Sequence, residues 1–257
     1  MSNFLYQAAA DAVHTFPNLV CFWDFQEPAG TIRQGQGKFA YRLQEANLPV
    51  PTVAEGVFGP YAADLSPGRW FRIPRAECPA LHFSGEHAAF TIVAWIRWRS
   101  EQSQGCQAVA GIWNETAKQR QYCLFLDLRI WESKKQVCGH VSAEGGPTPG
   151  YPFCMTSAIG QTPVDSEWHM VSFTYDGEYA RVYLDDRLDE REQWNPFHYP
   201  DGLFDGGEAG ADFTVGAVDR SGEMGNDYNG YLGGLAIYDG ALTEAEITAL
   251  YEMTMKK

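Results

Sequence analysis

The sequence is poor in positive charge and has no long apolar run. Lys and Arg number 19 against 33 Asp and Glu, giving a formal net charge of −14 at pH 7. A surface this acidic repels phosphate backbones, and no cluster of Lys or Arg offsets it, so nucleic acid is excluded as a partner. No apolar stretch approaches the roughly 20 residues that a membrane helix needs, so no membrane partner is expected. The opening MSNFLYQAAADAVHTFP contains neither Lys nor Arg and no unbroken apolar core, and is therefore not read as a signal peptide. That predicts a cytoplasmic protein, or a secreted one if a leader has been trimmed away. The six cysteines, Cys21, Cys78, Cys106, Cys123, Cys138 and Cys154, include no C-x-x-C pair. Without paired Cys/His spacing a zinc site is disfavoured, and buried unpaired thiols are expected instead. Serine nucleophile elbows, P-loops and dinucleotide fingerprints are missing as well. No linker, charge block or repeat marks a boundary, so residues 1–257 are read as one domain.

What the sequence does have is aromatic residues and turns. Aromatics make up 14% of the chain, and 26 Gly and 14 Pro are spread between short apolar runs. Those runs, among them LVCFWDF, FTIVAWIRW, YCLFLDLRI, WHMVSFTY, YARVYLDD and GYLGGLAIY, are rich in β-branched and aromatic residues. Such a pattern predicts an all-β protein of many short antiparallel strands. Asp176-Gly177 is expected to join the runs 168–175 and 178–184 through a two-residue type I′ turn. Alternation then puts His169 on one face with Val171, Phe173 and Tyr175, where a satisfied core histidine is expected. Trp23, Ile92, Ala94, Val171, Phe173, Val182 and Leu235 are expected between or beside two packed sheets. Two short helices complete the reading. Phe4, Leu5, Ala8, Ala9, Ala12, Val13 and Phe16 recur at helical spacing within residues 1–17. A closing helix over 243–253 is marked by Thr243 and Glu246 as a capping box and by Leu242 and Ile247 as a hydrophobic staple.

The order of these segments resembles the laminin-G-like, pentraxin-like group of the concanavalin A-like superfamily. Phe22-Trp23-Asp24-Phe25 with Glu27 and Gly30 is similar to the family's W-x-F-x-E-x-x-G opening. GVFGPYAADLSPGRWFRIP, FTIVAWIRW, WHMVSFTYDGEYARVYLDD and YNGYLGGLAIYDGALTEAEITALY resemble its later strands and closing helix, in the family's order. The resemblance implies a two-sheet antiparallel jelly-roll sandwich with one concave face and binding loops at its rim. It also implies a structural Ca²⁺ where the first and last strands meet, with no other cofactor. Asp24, Glu27 and Asp227 are the candidate ligands. Gly234, however, stands where the family's closing G-x-I-D pattern has its Asp, and glycine offers only a carbonyl to a cation that needs several oxygens.

Enzymatic signatures of the superfamily are missing. Its glycoside hydrolases carry E-x-D-x-E on one strand, which aligns three carboxylates on one face. No Glu in this chain is followed two positions later by Asp. Its lyases carry Q-x-H, whereas Gln136-Val137-Cys138 reaches a histidine only at His140. One polar constellation remains. A hairpin of Tyr122–Trp131 with Gln136–Ala143 would put Phe125, Asp127, Arg129 and Trp131 on one face with Cys138 and His140. The opposite face would be a core stripe of Tyr122, Leu124, Leu126, Leu128 and Ile130. If the protein is an enzyme, a hydrolase or lyase with an atypical site, Asp127, Arg129 and His140 are its catalytic candidates. The leading expectation is non-catalytic recognition of a glycan or small molecule on the concave face. Its candidate ligand-binding residues are Trp113, Asn114, Arg120, Asp127, Arg129, Trp131, His140, Tyr151, Asp219 and Arg220. A protein-interaction module is the third reading.

Overall fold

Short apolar runs broken by Gly, Pro, Asp and Asn form two antiparallel sheets in a computed structural model that describes residues 3–256. The nine-stranded sheet runs in spatial order Arg187–Leu188, Tyr179–Leu184, Trp168–Tyr175, Phe90–Trp98, Gly230–Tyr238, Ala62–Leu65 and Thr52–Val53. Leu19–Trp23 pairs with Gly230–Tyr238, and Phe197–His198 pairs with Tyr179–Leu184. The ten-stranded sheet runs Ser157–Ile159, Val137–Val141, Gln119–Leu126, Gln107–Asn114, Phe213–Val215, Phe71–Ile73, Arg42–Glu45 and Arg33–Gln34. A small hairpin of Val218–Arg220 with Glu223–Gly225 extends it, meeting Asn114 by one parallel bridge at Asp219. First and last strands meeting edge to edge, with sequence neighbours placed far apart, is the jelly-roll sandwich that the family resemblance implies.

Alternation decides which side chains fill the layer between the sheets. Trp23, Ile92, Ala94, Val171, Phe173, Val182 and Leu235 all lie in that core, as expected. Tyr122, Leu124 and Leu126 face them from the opposite sheet. The predicted Asp-Gly turn is displaced. Tyr175 pairs with Ala180, so Gly177 and Glu178 form the loop, and the Asp176 carboxylate accepts from the N–H groups of Glu178 and Tyr179. Of these residues only Gly177 has positive φ, +91°, so the type I′ turn with Asp176 as a corner is not formed. His169 is satisfied, by the Asp165 and Asp185 carboxylates at 2.9 Å each, but stands at the start of its strand, outside the core cluster.

Both helices cover the outer face of the nine-stranded sheet. The closing helix α2, Glu244–Met255, has both hydrogen bonds of the capping box, with Leu242 and Ile247 buried at its start. The first helix α1, Asn3–Val13, buries Ala9, Ala12 and Val13, whereas Phe4 and Leu5 are exposed, so its inward face begins later than its periodicity predicts. Trp95 fixes the layer by donating its indole N–H to Thr254 Oγ1 at 3.0 Å. With one outer face covered by helices, the outer face of the ten-stranded sheet is the one left for a site.

Candidate functional site

Cys123, Phe125, Cys138, His140 and Ile159 alternate with the core residues of their strands and therefore point outward from the ten-stranded sheet. Phe125 pairs with Cys138, and His140 with Cys123. Ala108, Trp113, Cys154 and Val218 complete this outer apolar cluster. Its centre is a pocket of about 180 Å³. By volume that is roughly six water molecules, enough for one small ring. Trp113, Phe125 and His140 form its sheet-side wall, Leu128 and Ile130 close one flank, and Phe153, Cys154 and Met155 close another. Glu115, Arg220 and Asn226 supply the polar rim, and Cys106 completes the lining.

The long excursion after the Val137–Val141 strand is ordered by its own turn. Thr148 N–H donates to Phe153 carbonyl, Tyr151 N–H to Thr148 carbonyl, and Met155 N–H to Thr148 Oγ1. This turn directs Cys154 inward and leaves Phe153 60% exposed at the mouth. Tyr151, a candidate ligand-binding residue, is exposed and absent from the pocket wall. His140 is held by two aromatic rings and at one nitrogen. Trp113 stacks on it at 5.2 Å between centroids and 28°, Phe125 meets it edge-on at 5.4 Å, and Nδ1 lies 2.9 Å from the Thr156 carbonyl. The wall of Trp113 is set in turn by its indole N–H on Glu115 Oε1 and by the Arg120 guanidinium over its ring. Arg120 is buried and also donates to the Gly145 carbonyl, so it braces the pocket from behind.

A second cavity of about 150 Å³ lies on the other side of Trp113. Asn114, Asp219, Arg72, Asp212 and Thr214 line it, with Trp70 and Met224. Trp113 is thus shared by two neighbouring polar-rimmed cavities. Asn114 caps the turn at Ala117 N–H, and Asp219 accepts from Thr116 Oγ1. A larger cleft of about 690 Å³ beside the end of α1 holds His14, Lys38 and Asp239. It is lined otherwise mainly by apolar side chains, those of Phe16, Leu19, Val20, Phe39 and Ala80.

The constellation of Asp127, Arg129 and His140 is not assembled. The strand predicted to reach Trp131 ends at Leu126. Asp127, Arg129, Trp131 and Glu132 take left-handed φ of 49–59°, so the chain leaves the sheet and strict alternation stops. Leu128 and Ile130, expected in the core stripe, consequently join the outer cluster. Asp127 is fully buried and accepts from Ser103 Oγ at 2.6 Å, Arg129 Nη2 at 3.0 Å and Lys135 N–H at 2.9 Å. Burial alone would raise its carboxyl; these donors more than offset that and hold it below the usual carboxylate range. His140 pairs four residues further along at Cys123, about 13 Å away at strand spacing. Trp131 stacks on Trp194 at 4.1 Å and does not reach the pocket. Of the ten predicted residues, Trp113, His140 and Arg220 line the first cavity, and Trp113, Asn114 and Asp219 the second. Cys106, Glu115 and Cys154 were missed. Phe125 lay on the right face by alternation.

The donors expected for calcium do not assemble either. Asp24 accepts from Gln26 N–H and Gln36 Nε2, Glu27 Oε1 from Gln34 N–H, and Asp227 from Gly68 N–H. Only Glu27 Oε2 among these is buried without a partner. Among the described residues no group of three or more His, Cys, Asp and Glu is placed to hold a metal. At Gly234 a Cβ would stand 2.4 Å from the Phe58 ring, so the family's Asp has no room there.

Comparison with known proteins places these features in a family. A family described as the concanavalin A-like lectin/glucanases superfamily matches residues 75–248. No curated protein matches the sequence. Among solved structures, domain 4 of AbnA, a GH43 extracellular arabinanase from Geobacillus stearothermophilus, in complex with arabinotriose, is similar at a TM-score of 0.59 and 16% identity. That match covers 91% of this chain and 98% of the other. Trypanosoma rangeli sialidase in complex with the inhibitor DANA matches at 0.58 and 15%, over 91% of this chain and 32% of the sialidase. The receptor binding domain of botulinum neurotoxin C/D mosaic serotype matches at 0.57 and 12%, over 91% and 51%. At these identities the likeness is one of fold.

Proposed function

Because the chain belongs to the concanavalin A-like lectin/glucanases superfamily, we propose that it is a non-catalytic carbohydrate-recognition module whose site is the outer face of the ten-stranded sheet. The observation that carries this reading is the pair of small polar-rimmed cavities divided by Trp113. Sugar rings present C–H faces to aromatic carbon and hydroxyls to planar polar groups. Phe153 offers an open aromatic face, and Arg220, Asn226 and Glu115 offer donors and acceptors beside it. Two cavities sharing one wall suit two adjacent rings of an oligosaccharide. The fold is one on which the arabinanase domain holds arabinotriose, which supports a neutral glycan as ligand.

The carboxylates favour recognition over hydrolysis. Glycosidase chemistry asks for two carboxyl groups about 5–9.5 Å apart, one to donate a proton and one to act as nucleophile or base. Here Glu115 is committed to Trp113 and Arg120, Asp219 to Thr116, and Asp212 to the Arg75 N–H and Arg72. Each positions a neighbour and none is left as a free acid–base partner. The test is a screen on a broad glycan array that includes arabino-oligosaccharides, followed by product analysis of every hit. Binding without release of shorter sugars is expected. Absence of any binding, or turnover of a bound glycan, would overturn the reading.

A further inference from the structure

Four of the six cysteines, Cys106, Cys123, Cys138 and Cys154, lie on the outer face that carries the pocket, and of these only Cys154 is acted on by an imidazole. Cys154 is 7% exposed and lines the cavity together with His140. Its Sγ lies 3.1 Å from Thr156 Oγ1 and 3.7 Å from the Val141 carbonyl, with the His140 ring in the same cavity wall. His140 Nδ1 faces the Thr156 carbonyl at 2.9 Å, so in the neutral ring Nδ1 carries the hydrogen and Nε2 is the free lone pair. Trp113 and Phe125 fix the ring on two sides. The arrangement is a thiol, a base and a residue that orients the base, opening on a cavity with room for a small group.

We propose that Cys154 is a nucleophilic thiol with His140 as its proton acceptor, and that the pocket admits small uncharged electrophiles which it binds covalently at sulfur. The thiol proton moves to the unprotonated nitrogen of the His140 ring. A sulfur lone pair then forms the S–C bond while the bond from carbon to its leaving group breaks, and that group departs with the electron pair. With iodoacetamide as probe the product is the carbamidomethyl thioether and iodide. An uncharged electrophile is favoured because Phe125, Leu128, Ile130 and Met155 make much of the cavity wall apolar.

The charged and titratable groups around the thiol act with this geometry. Glu115, Arg220 and Cys106 share the cavity, and Tyr199 lies within electrostatic reach. Burial alone would raise the Cys154 thiol, but His140 and Thr156 more than offset it, lowering it from 9.0 to about 7. The other thiols of the face have only burial acting strongly on them, which raises all three, Cys138 to about 12. They serve as internal controls.

The experiment is alkylation of the folded protein by substoichiometric iodoacetamide from pH 5 to 9, with peptide mapping by mass spectrometry. Cys154 should be labelled first, at a rate whose midpoint lies near pH 7. A thiol at about 7 rather than 9 holds roughly ninetyfold more thiolate at pH 6 and loses roughly eightfold in intrinsic nucleophilicity, so His140→Gln should slow labelling about tenfold. The wild-type profile decides the matter even if that variant does not fold. Labelling of Cys106 before Cys154, a midpoint above pH 8.5, or labelling of all six cysteines together would overturn the proposal. It does not depend on the glycan reading, because the readout is mass at one residue and not binding.

Discussion

Asp127 is the residue whose replacement separates a structural role from a chemical one. It is fully buried at the point where the Gln119–Leu126 strand ends, with φ of +56° and three residues donating to its carboxylate. Asp127→Ala removes the acceptor of the Lys135 N–H, which loses a charge-assisted bond contributing about 2 kcal/mol. Ser103 loses less, because its hydroxyl also reaches the Gly105 carbonyl. Arg129 is 39% exposed, so water replaces much of the ion pair and its share is about 1 kcal/mol or less. Alanine tolerates the left-handed backbone worse than Asp by about 1 kcal/mol. The expected loss is therefore about 4 kcal/mol, or roughly 8–16 °C in melting temperature for a chain of this size. Asp127→Asn keeps the shape and the left-handed tolerance and should cost about 1–2 kcal/mol. Because the folded carboxyl is held below its ordinary value, its stabilisation is present above the unfolded value near 4 and disappears as pH falls through the folded one. Urea melts at pH 7 and pH 3 measure both effects. A loss below 1 kcal/mol for Asp127→Ala at pH 7 would refute the reasoning. So would loss of glycan binding in Asp127→Asn at unchanged stability, which would return this residue to the site.

His169 has the opposite sign. Burial lowers its pKa, but the Asp185 and Asp165 carboxylates outweigh burial and raise it. Its contribution is complete below the unfolded value near 6.5 and is lost as pH rises through the higher folded value. His169→Gln should thus narrow the difference in stability between pH 6 and pH 8.5, and an unchanged difference would contradict the paired geometry. Gly234→Ala should cost about 1–3 kcal/mol by overpacking against Phe58, and a neutral melt would misplace that ring. EDTA should leave the melting temperature unchanged within a degree, whereas a sharp fall reversed by Ca²⁺ would show that Asp24, Glu27 and other oxygens assemble a site after all.

The sandwich was legible because alternation and turn residues act locally. Val171, Phe173 and Val182 read as one buried face, and Thr243 with Glu246 read as a helix start, from a few neighbouring residues each. The site was legible only in part. His140 and Phe125 follow from parity within a strand, but parity holds only while the strand lasts. The left-handed residues from Asp127 onward ended it, which sent Leu128 and Ile130 to the outer face and Asp127 inward to Ser103. Cys154 and Asn226 reach the pocket through loop closures of long sequence separation, which no local pattern encodes. The turn at Gly177 shows the same limit on a smaller scale. Asp176 used its side chain to cap the loop, and the register moved by two residues.

The central claim is that a glycan binds the outer face of the ten-stranded sheet around Trp113 and Phe153. Phe153 tests it most directly, because it lines the pocket while 60% exposed, so its removal opens no core cavity. Calorimetric titration of Phe153→Ala with the best arabino-oligosaccharide or other array hit should show about tenfold weaker binding, the loss of roughly 1.4 kcal/mol of ring contact. Its melting temperature should match that of the parent. Equal affinity in Phe153→Ala and parent, for a glycan that the parent binds, would contradict the account.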